Sequence, residues 1–552
     1  MKKKFISSYK RKIFFFLNMV LFLQGSYSQT EAKGTILKFT DFIHYFKEFN
    51  DKDNELYIQY VPNKQAISFL EGNIPLLDIP DSIIQQTYYF RWWTFRKHLK
   101  QTAKGFVITE FLPEVPWSGK YNTINCPAAY HIYEGRWLHD DIYIKDYIKY
   151  WLSEADNVRK YSFWAANSIA AFIKVQKDTI FLKRYLPALI DNYYAWENEH
   201  RDAPDRLFWQ SDNYDGMELS AGGRVLNNGE DDWNTIVSRP TINSYMYADA
   251  SAISELANYL KEPEWSQEFK RKAGQIKGLV EGRLWNDSLS FFTLLPRDYE
   301  DDDQPIDIRE LIGYTPWYFN LPEDDPKYIK AWNKILDTTG FAAPFGLTTT
   351  ERSHPYFEIK YEGHECQWNG PSWPFATTQV LKSFSNFLNN YKYNGSLTKH
   401  DYYQLLKQYA KSHRITWENG ESQMWIDENI NPFTGDWISR TRLKTWDNNT
   451  WSSKKGGEER GKDYNHSGFC DLIINDLIGF KPQLDGSIVI KPLVPDNWDW
   501  FCLDNVYYQG KILTVLWDKT GNHYKRGEGF QVFYNGNRIF KSEIVEEVSL
   551  KI

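Results

Sequence analysis

The sequence predicts an all-α toroid of helical hairpins closed by a small C-terminal β module. Three observations predict it. Apolar residues recur at helical spacing, as at Phe269, Ala273, Ile276 and Val280, and at Tyr402, Leu405, Leu406, Tyr409 and Ala410. Roughly a dozen such segments are joined by long aromatic loops bearing Gly and Pro, with no fixed-period repeat of the kind a solenoid shows. After Pro482 the pattern shifts to short strand-like runs.

Taken in order, residues 1–28 read as a secretory signal. Lys2, Lys3, Lys4, Lys10, Arg11 and Lys12 are basic, Ile13 to Leu23 are apolar, and Gly25-Ser26-Tyr27-Ser28 offers small residues for cleavage. The apolar run is too short to span a bilayer, so the mature chain is expected to be exported without membrane insertion, to the periplasm, the medium or the cell surface. The helical domain is expected over 29–482. Its helices fall near 38–49, 64–72, 81–102, 140–155, 163–176, 178–197, 244–260, 306–319, 325–337, 371–393 and 464–479. Thr398 and Asp401 suit the start of the helix that carries Tyr402, and Pro187 is expected to kink or split its segment. The β module, 483–552, carries strands at 487–490, 506–508, 512–516 and 530–534, with Asn535-Gly536 as a hairpin turn.

Composition narrows the function. The 552 residues carry 65 Lys and Arg against 72 Asp and Glu, a net charge of −7. That balance gives no electrostatic support for nucleic acid or an anionic membrane, and it weighs against a polyanionic substrate. The four cysteines, Cys126, Cys366, Cys470 and Cys502, are widely spaced and form no zinc motif. Aromatics are abundant, with 23 Trp, 37 Tyr and 35 Phe. Most serve a core, and the surplus beside polar motifs suits a ligand that is half apolar and half polar, as a sugar is.

Four loops carry the chemistry. Trp425 to Trp437 packs Asp427, Glu428 and Asp436 with two Trp around an Asn431-to-Gly435 turn. Apolar ring faces stack on pyranoses while a carboxylate handles water, so Glu428 reads as a general base. Phe208 to Glu218 holds Asp212, Asp215 and Glu218 close together beside Trp209. Like charges held this close raise one another's pKa, as a general acid requires. Asp212 and Asp215 are the leading acid candidates and Glu218 stands behind them. Arg239 is placed to pair with a carboxylate or a sugar hydroxyl. The third loop is Glu365 to Pro374, where Gln367, Trp368, Asn369 and Trp373 bring amides beside rings and Pro374 suits a helix's first turn. In the fourth, Tyr464-Asn465-His466, the histidine is a candidate for the cleft wall.

Together these loops resemble the (α/α)6-barrel glycosidases related to family 63 mannosyl-oligosaccharide glucosidase, mannosylglycerate hydrolase and trehalase, over roughly residues 80–480. Trp368 to Pro374 is similar to a Trp-Arg-Gly-Pro-x-Trp-Pro motif, with Asn369 in place of Arg. Glu428 to Gly435 is similar to the element carrying the family's base, and Ser211-Asp212-Asn213 to the one carrying its acid. The resemblance implies an inverting exo-glycosidase acting on an oligosaccharide or glycan without metal or cofactor. The acid protonates the glycosidic oxygen while Glu428 activates a water, across ~6.5–9.5 Å. Two other classes compete: a polysaccharide lyase on the same barrel, using Tyr and His, and a glycan-binding protein without turnover.

Overall fold

The structure is a computed structural model that describes residues 35–445 and 449–551. The expected signal segment lies outside the described residues. Helices α1 (Ile43–Lys52) and α2 (Asn63–Asn73) precede α3 (Ser82–Lys97), α4 (Ala128–Gly135), α5 (Ile142–Ser153), α6 (Ala165–Gln176) and α7 (Thr179–His200). Then come α8 (Ala221–Leu226), α9 (Pro240–Tyr259), α10 (Pro263–Arg283), α11 (Thr315–Tyr318) and α12 (Ile329–Trp332). The last are α13 (Pro374–Asn390), α14 (Lys399–Ser412), α15 (Ile438–Thr445) and a π-helical turn, Leu472–Leu477. Among the described residues no helix is long and apolar enough to cross a membrane.

Two helical layers follow from the burial pattern. In α13 every residue from Pro374 to Phe387 is buried, whereas α10 buries only the stripe Phe269, Lys272, Ala273, Ile276 and Val280. A helix buried all round is interior, and one with a stripe covers it. The interior set α4, α6, α9, α11, α13 and the π-turn pack neighbour to neighbour in that order. Glu134 of α4 accepts the backbone N–H groups of Cys470 and Asp471 at 3.3 and 3.1 Å, so the last member meets the first. Outside it, α10 packs on α9, α14 on α13, and α14 on α3.

Most expected helices appear near their places. Thr398 and Asp401 form the reciprocal capping box of α14, and Pro374 opens α13. Pro187 does not split its segment, since α7 runs continuously through it. The helix expected at 464–479 starts late. Residues 463–465 stay non-helical because their carbonyls serve other partners: His98 bonds the Asp463 carbonyl at 2.7 Å and His131 the Asn465 carbonyl at 2.7 Å.

The C-terminal strands form two antiparallel sheets. One has five strands in the order Leu76–Asp78, Trp500–Tyr508, Lys511–Asp518, Gly529–Tyr534 and Asn537–Ser542. The Asn535-Gly536 turn takes φ of 51° and 77°, the left-handed pair a tight hairpin requires. The other sheet joins Phe480–Pro482, Ile488–Ile490 and Val548–Leu550. The edge strand Leu76–Asp78 comes from before α3, and the Asp504 carboxylate accepts the Leu37 N–H at 2.8 Å. Chain from before residue 483 thus contributes a strand to each C-terminal sheet.

A buried ion cluster ties the π-turn to its neighbours. Asp476, fully buried, accepts Lys382 of α13 at 3.0 Å and Lys481 at 2.7 Å. Removing its charge leaves two ammonium groups facing each other. Asp476→Asn is expected to cost about 3–5 kcal/mol in a denaturant unfolding titration. A loss below about 1 kcal/mol would mean the cluster carries no such weight.

Candidate active site

A cavity of about 480 Å³ opens among the loops that precede α4, α6 and α13. Glu110, Glu218, Glu365 and Glu428 line it, together with Lys160, Lys454, Lys455 and Arg460 and the rings of Trp117, Tyr161, Tyr214, Trp233 and Trp373. That size suits a small polar ligand.

Glu428 is presented by two zipped loops. Ser372 and Ile430 exchange both backbone hydrogen bonds, at 3.0 and 2.9 Å, which fixes the Trp425–Trp437 stretch against the start of α13. The turn behind it closes as its sequence predicts. The Asn431 side chain accepts Phe433 N–H at 2.9 Å, and Gly435 takes φ +83°. Asp427 points away, accepting the Ser439 hydroxyl at 3.1 Å. It crowds Gly461 so closely that a Cβ there would overlap its carboxylate. Burial pushes the Glu428 carboxyl up, and the Arg460 guanidinium, hydrogen-bonded to it, opposes the rise. Cys366 Sγ lies 3.5 Å from its other oxygen.

Glu218 reaches the same cavity from the second acidic loop. Gly216 turns the chain at φ +74°, where a Cβ would meet Cys126 Sγ at 2.8 Å, so glycine alone fits. The Glu218 carbonyl accepts Trp368 N–H at 3.2 Å, which anchors the turn to the Glu365–Pro374 loop. Burial pushes the Glu218 carboxyl up to about 8, and the nearby Glu428 charge adds to the rise. It is protonated at neutral pH.

Asp212 and Asp215 lie elsewhere. Both are buried outside the cavity lining and face Arg239, at 2.6 Å from Asp212 and 3.9 Å from Asp215. Ser220 donates to Asp212 at 2.8 Å, and Thr241 donates to Asp215. Arg239 itself is fully buried against these two acids and does not line the cavity. Burial holds Asp212 at about 7 and Asp215 at about 6 against that guanidinium. The sequence ranks these three carboxylates by number and proximity. The turn at Gly216 decides which one faces solvent.

The remaining expected binding residues divide the same way. Trp373 and His466 line the cavity. Trp368 stacks behind Trp373 with ring centroids 4.4 Å apart and forms no part of the lining. Gln367 accepts Arg442 at 2.9 Å, and Asn369 is buried beside Glu358. Trp425 packs edge-on to Trp417, and Trp209 carries Arg297 over its ring at 3.9 Å; neither lines the cavity. Residues beside a cavity that belong to its packing are as aromatic as those that face it.

Sequence reasoning missed Glu110, Lys160, Lys455 and Arg460. Arg460 binds Glu365 at 3.0 Å as well as Glu428, and Lys455 holds Glu365 at 2.7 Å. Burial raises the Glu365 carboxyl, but Arg460, His364 and Lys455 outweigh it and bring it to about 2. His364, Glu365 and Cys366 offer ligand atoms within 4.8 Å of one another. Both Glu365 oxygens are already committed to cations, which disfavours a metal ion there. Glu110 accepts Tyr464 OH at 2.9 Å, and that hydroxyl lies 2.6 Å from His466 Nδ1. Burial pushes Glu110 up to about 8 and His466 well below its usual value, so both are neutral at pH 7. The Lys454-Lys455-Gly456-Gly457 run was the available signal for this fourth wall.

Fold and site together define a glycoside-hydrolase-type domain, and the comparisons agree. Residues 120–467 match the mannosylglycerate hydrolase MGH1-like glycoside hydrolase domain, and the chain belongs to that family. Residues 482–540 match the glycosyl hydrolase family 65 C-terminal domain. A solved structure described as a sialidase is 38% identical with a TM-score of 0.83, over 93% of this chain and 44% of that one. A family 63 mannosylglycerate hydrolase from Thermus thermophilus, solved with Tris and D-glycerate, is 11% identical over 71% of this chain and all of that one, with a TM-score of 0.47. An uncharacterized protein of Borreliella burgdorferi is 23% identical over 122 residues, 22% of this chain and 25% of that one. The chain thus spans less than half the length of the sialidase and a quarter of the Borreliella protein.

The raised carboxyls link stability to pH. Glu110 binds its proton far more tightly folded than unfolded, so its contribution is complete at low pH and is lost as pH rises through about 8. The fall in Tm between about pH 6 and about pH 9 is expected to be smaller in Glu110→Gln than in the parent protein. Equal falls would show that Glu110 ionises without penalty.

Proposed function

We propose that the protein is an inverting, exo-acting glycoside hydrolase that removes a terminal sugar from an oligosaccharide or glycan. Glu218 is the general acid and Glu428 the general base. One observation carries the assignment: of the carboxylates in the two acidic loops, Glu218 and Glu428 are the two that line the cavity. Their environments split their roles. Among the described residues no Lys or Arg forms an ion pair with Glu218, and burial with the Glu428 charge keeps its proton on, while Arg460 favours the ionised form of Glu428. Glu218 protonates the departing oxygen as Glu428 takes a proton from water on the opposite face of the ring. Trp373, Trp117 and Trp233 supply apolar faces for the sugar.

The inner and outer helices are read here as six hairpins closed into an (α/α)6 toroid. The meeting of α4 with the π-turn, and of α14 with α3, supports closure. Export through the residue 1–28 segment belongs to the same reading.

Glu428→Gln is expected to lose about 10²–10⁴-fold in kcat at temperatures well below the Tm of the variant, which the weakened Arg460 pair lowers. Glu218→Gln is expected to lose activity on poor leaving groups and regain it on aryl glycosides whose leaving group needs no proton. Asp212→Asn and Asp215→Asn are expected to lower Tm more than kcat. Full activity of Glu428→Gln against a released-sugar assay would sink the base assignment. In the parent protein the rate is expected to fall as pH rises past about 8, where Glu218 loses its proton. A pH–rate profile flat through that range would remove Glu218 from the role. Proton NMR of the first-formed anomer decides inversion.

A further inference from the structure

The cavity wall carries two cations that the hydrolytic chemistry does not use. Lys160 is half-buried, and its ammonium donates to the Trp117 carbonyl at 3.2 Å. It also sits over the rings of Tyr161 at 5.4 Å and Tyr214 at 5.8 Å. Those contacts fix its position, yet no carboxylate pairs with it among the described residues. Lys454, exposed on the same wall, has no carboxylate partner either. By contrast Lys455 and Arg460 are both paired with Glu365.

The balance around the cavity is therefore positive. Lys160, Lys454, Lys455 and Arg460 face at most two anionic carboxylates, Glu365 and the Arg460-bonded Glu428, because Glu110 and Glu218 hold their protons to about 8. His364 and His466 are pushed below their usual range by burial and add no charge. A half-buried ammonium without a counter-ion is a standing cost, and burial lowers the Lys160 pKa accordingly. An anion delivered by the ligand removes that cost, and a concave wall of one sign concentrates such ligands.

We infer that the substrate is an acidic glycan, bearing a carboxylate or a sulfate, whose charged group is held by Lys160 in the cavity wall with Lys454 at its mouth. The inference rests on the hydrolase reading for its substrate class, and Lys160 is a specificity residue for that reaction. The site takes one anionic group as a point charge, since an ammonium offers no bidentate fork.

The test uses the full chain as Glu428→Gln, on an array of neutral, uronate-bearing, sialylated and sulfated glycans. Binding is expected on acidic glycans alone. The carboxylated and sulfated arms distinguish the two anions. Adding Lys160→Met is expected to weaken binding about tenfold, with Lys160→Arg restoring part of it and Tm unchanged in both. Raising salt to about 0.5 M NaCl is expected to weaken it further. Equal binding of neutral glycans, or affinity unmoved by Lys160→Met, overturns the inference. Failure of the hydrolase reading looks different. Acidic glycans that bind but yield no free sugar from the parent protein, or an unsaturated product absorbing in the ultraviolet, keep the anion site and remove the hydrolase.

Discussion

One buried guanidinium organises the site. Arg460 is almost fully buried and joins Glu365 and Glu428, which arrive on two different loops, to a third loop of its own. Without that charge, two carboxylates would be left buried side by side, and one would take up a proton. Its effect is unequal. Glu365, held also by Lys455, is ionised far below neutral, while Glu428 keeps one oxygen toward Cys366 and the cavity. Stability and chemistry meet in this contact: the same guanidinium that ties the loops together opposes the burial that raises the carboxyl of the proposed base.

The protein solves a similar problem elsewhere with similar means. Arg239 holds Asp212 and Asp215, and Lys382 and Lys481 hold Asp476, each in a setting almost closed to water. In these clusters the carboxylates face inward, against fixed cations, and none of them lines the 480 Å³ cavity. Glu110 and Glu218 differ because, among the described residues, no Lys or Arg forms an ion pair with either, the Arg460 charge only partly offsets burial at Glu110, and both line the cavity. A buried acid left protonated in a polar, ring-lined space is poised to give up a proton or donate a hydrogen bond. This separates the acids that support the fold from those available to a ligand.

Charge at the level of the whole chain and charge at the cavity point in opposite directions. A net −7 discourages anionic partners at long range, yet the cavity wall gathers Lys160, Lys454, Lys455 and Arg460. Solution salt screens the distant surface within roughly 10 Å, so the local wall governs what is held once a ligand has arrived. Composition is a poor guide to a site this small.

Much was legible in the linear chain. Helical spacing, the Thr398–Asp401 cap, Pro374 and the Asn535-Gly536 turn all act through neighbours three or four residues away, so the sequence alone determined them. That Glu428 would stand in a ligand-sized cavity was legible too, because its turn and its flanking residues form one continuous motif. The tertiary structure decided what depends on distant partners. Gly216 packing against Cys126 turns Glu218, and not Asp212 or Asp215, to the cavity. Trp425 and Trp209 were absorbed into packing, and Arg460, Glu110 and Lys160 were brought in from loops with no motif to mark them. Long-range burial and charge pairing choose among residues that local pattern leaves equivalent, and no reading of nearest neighbours contains that choice.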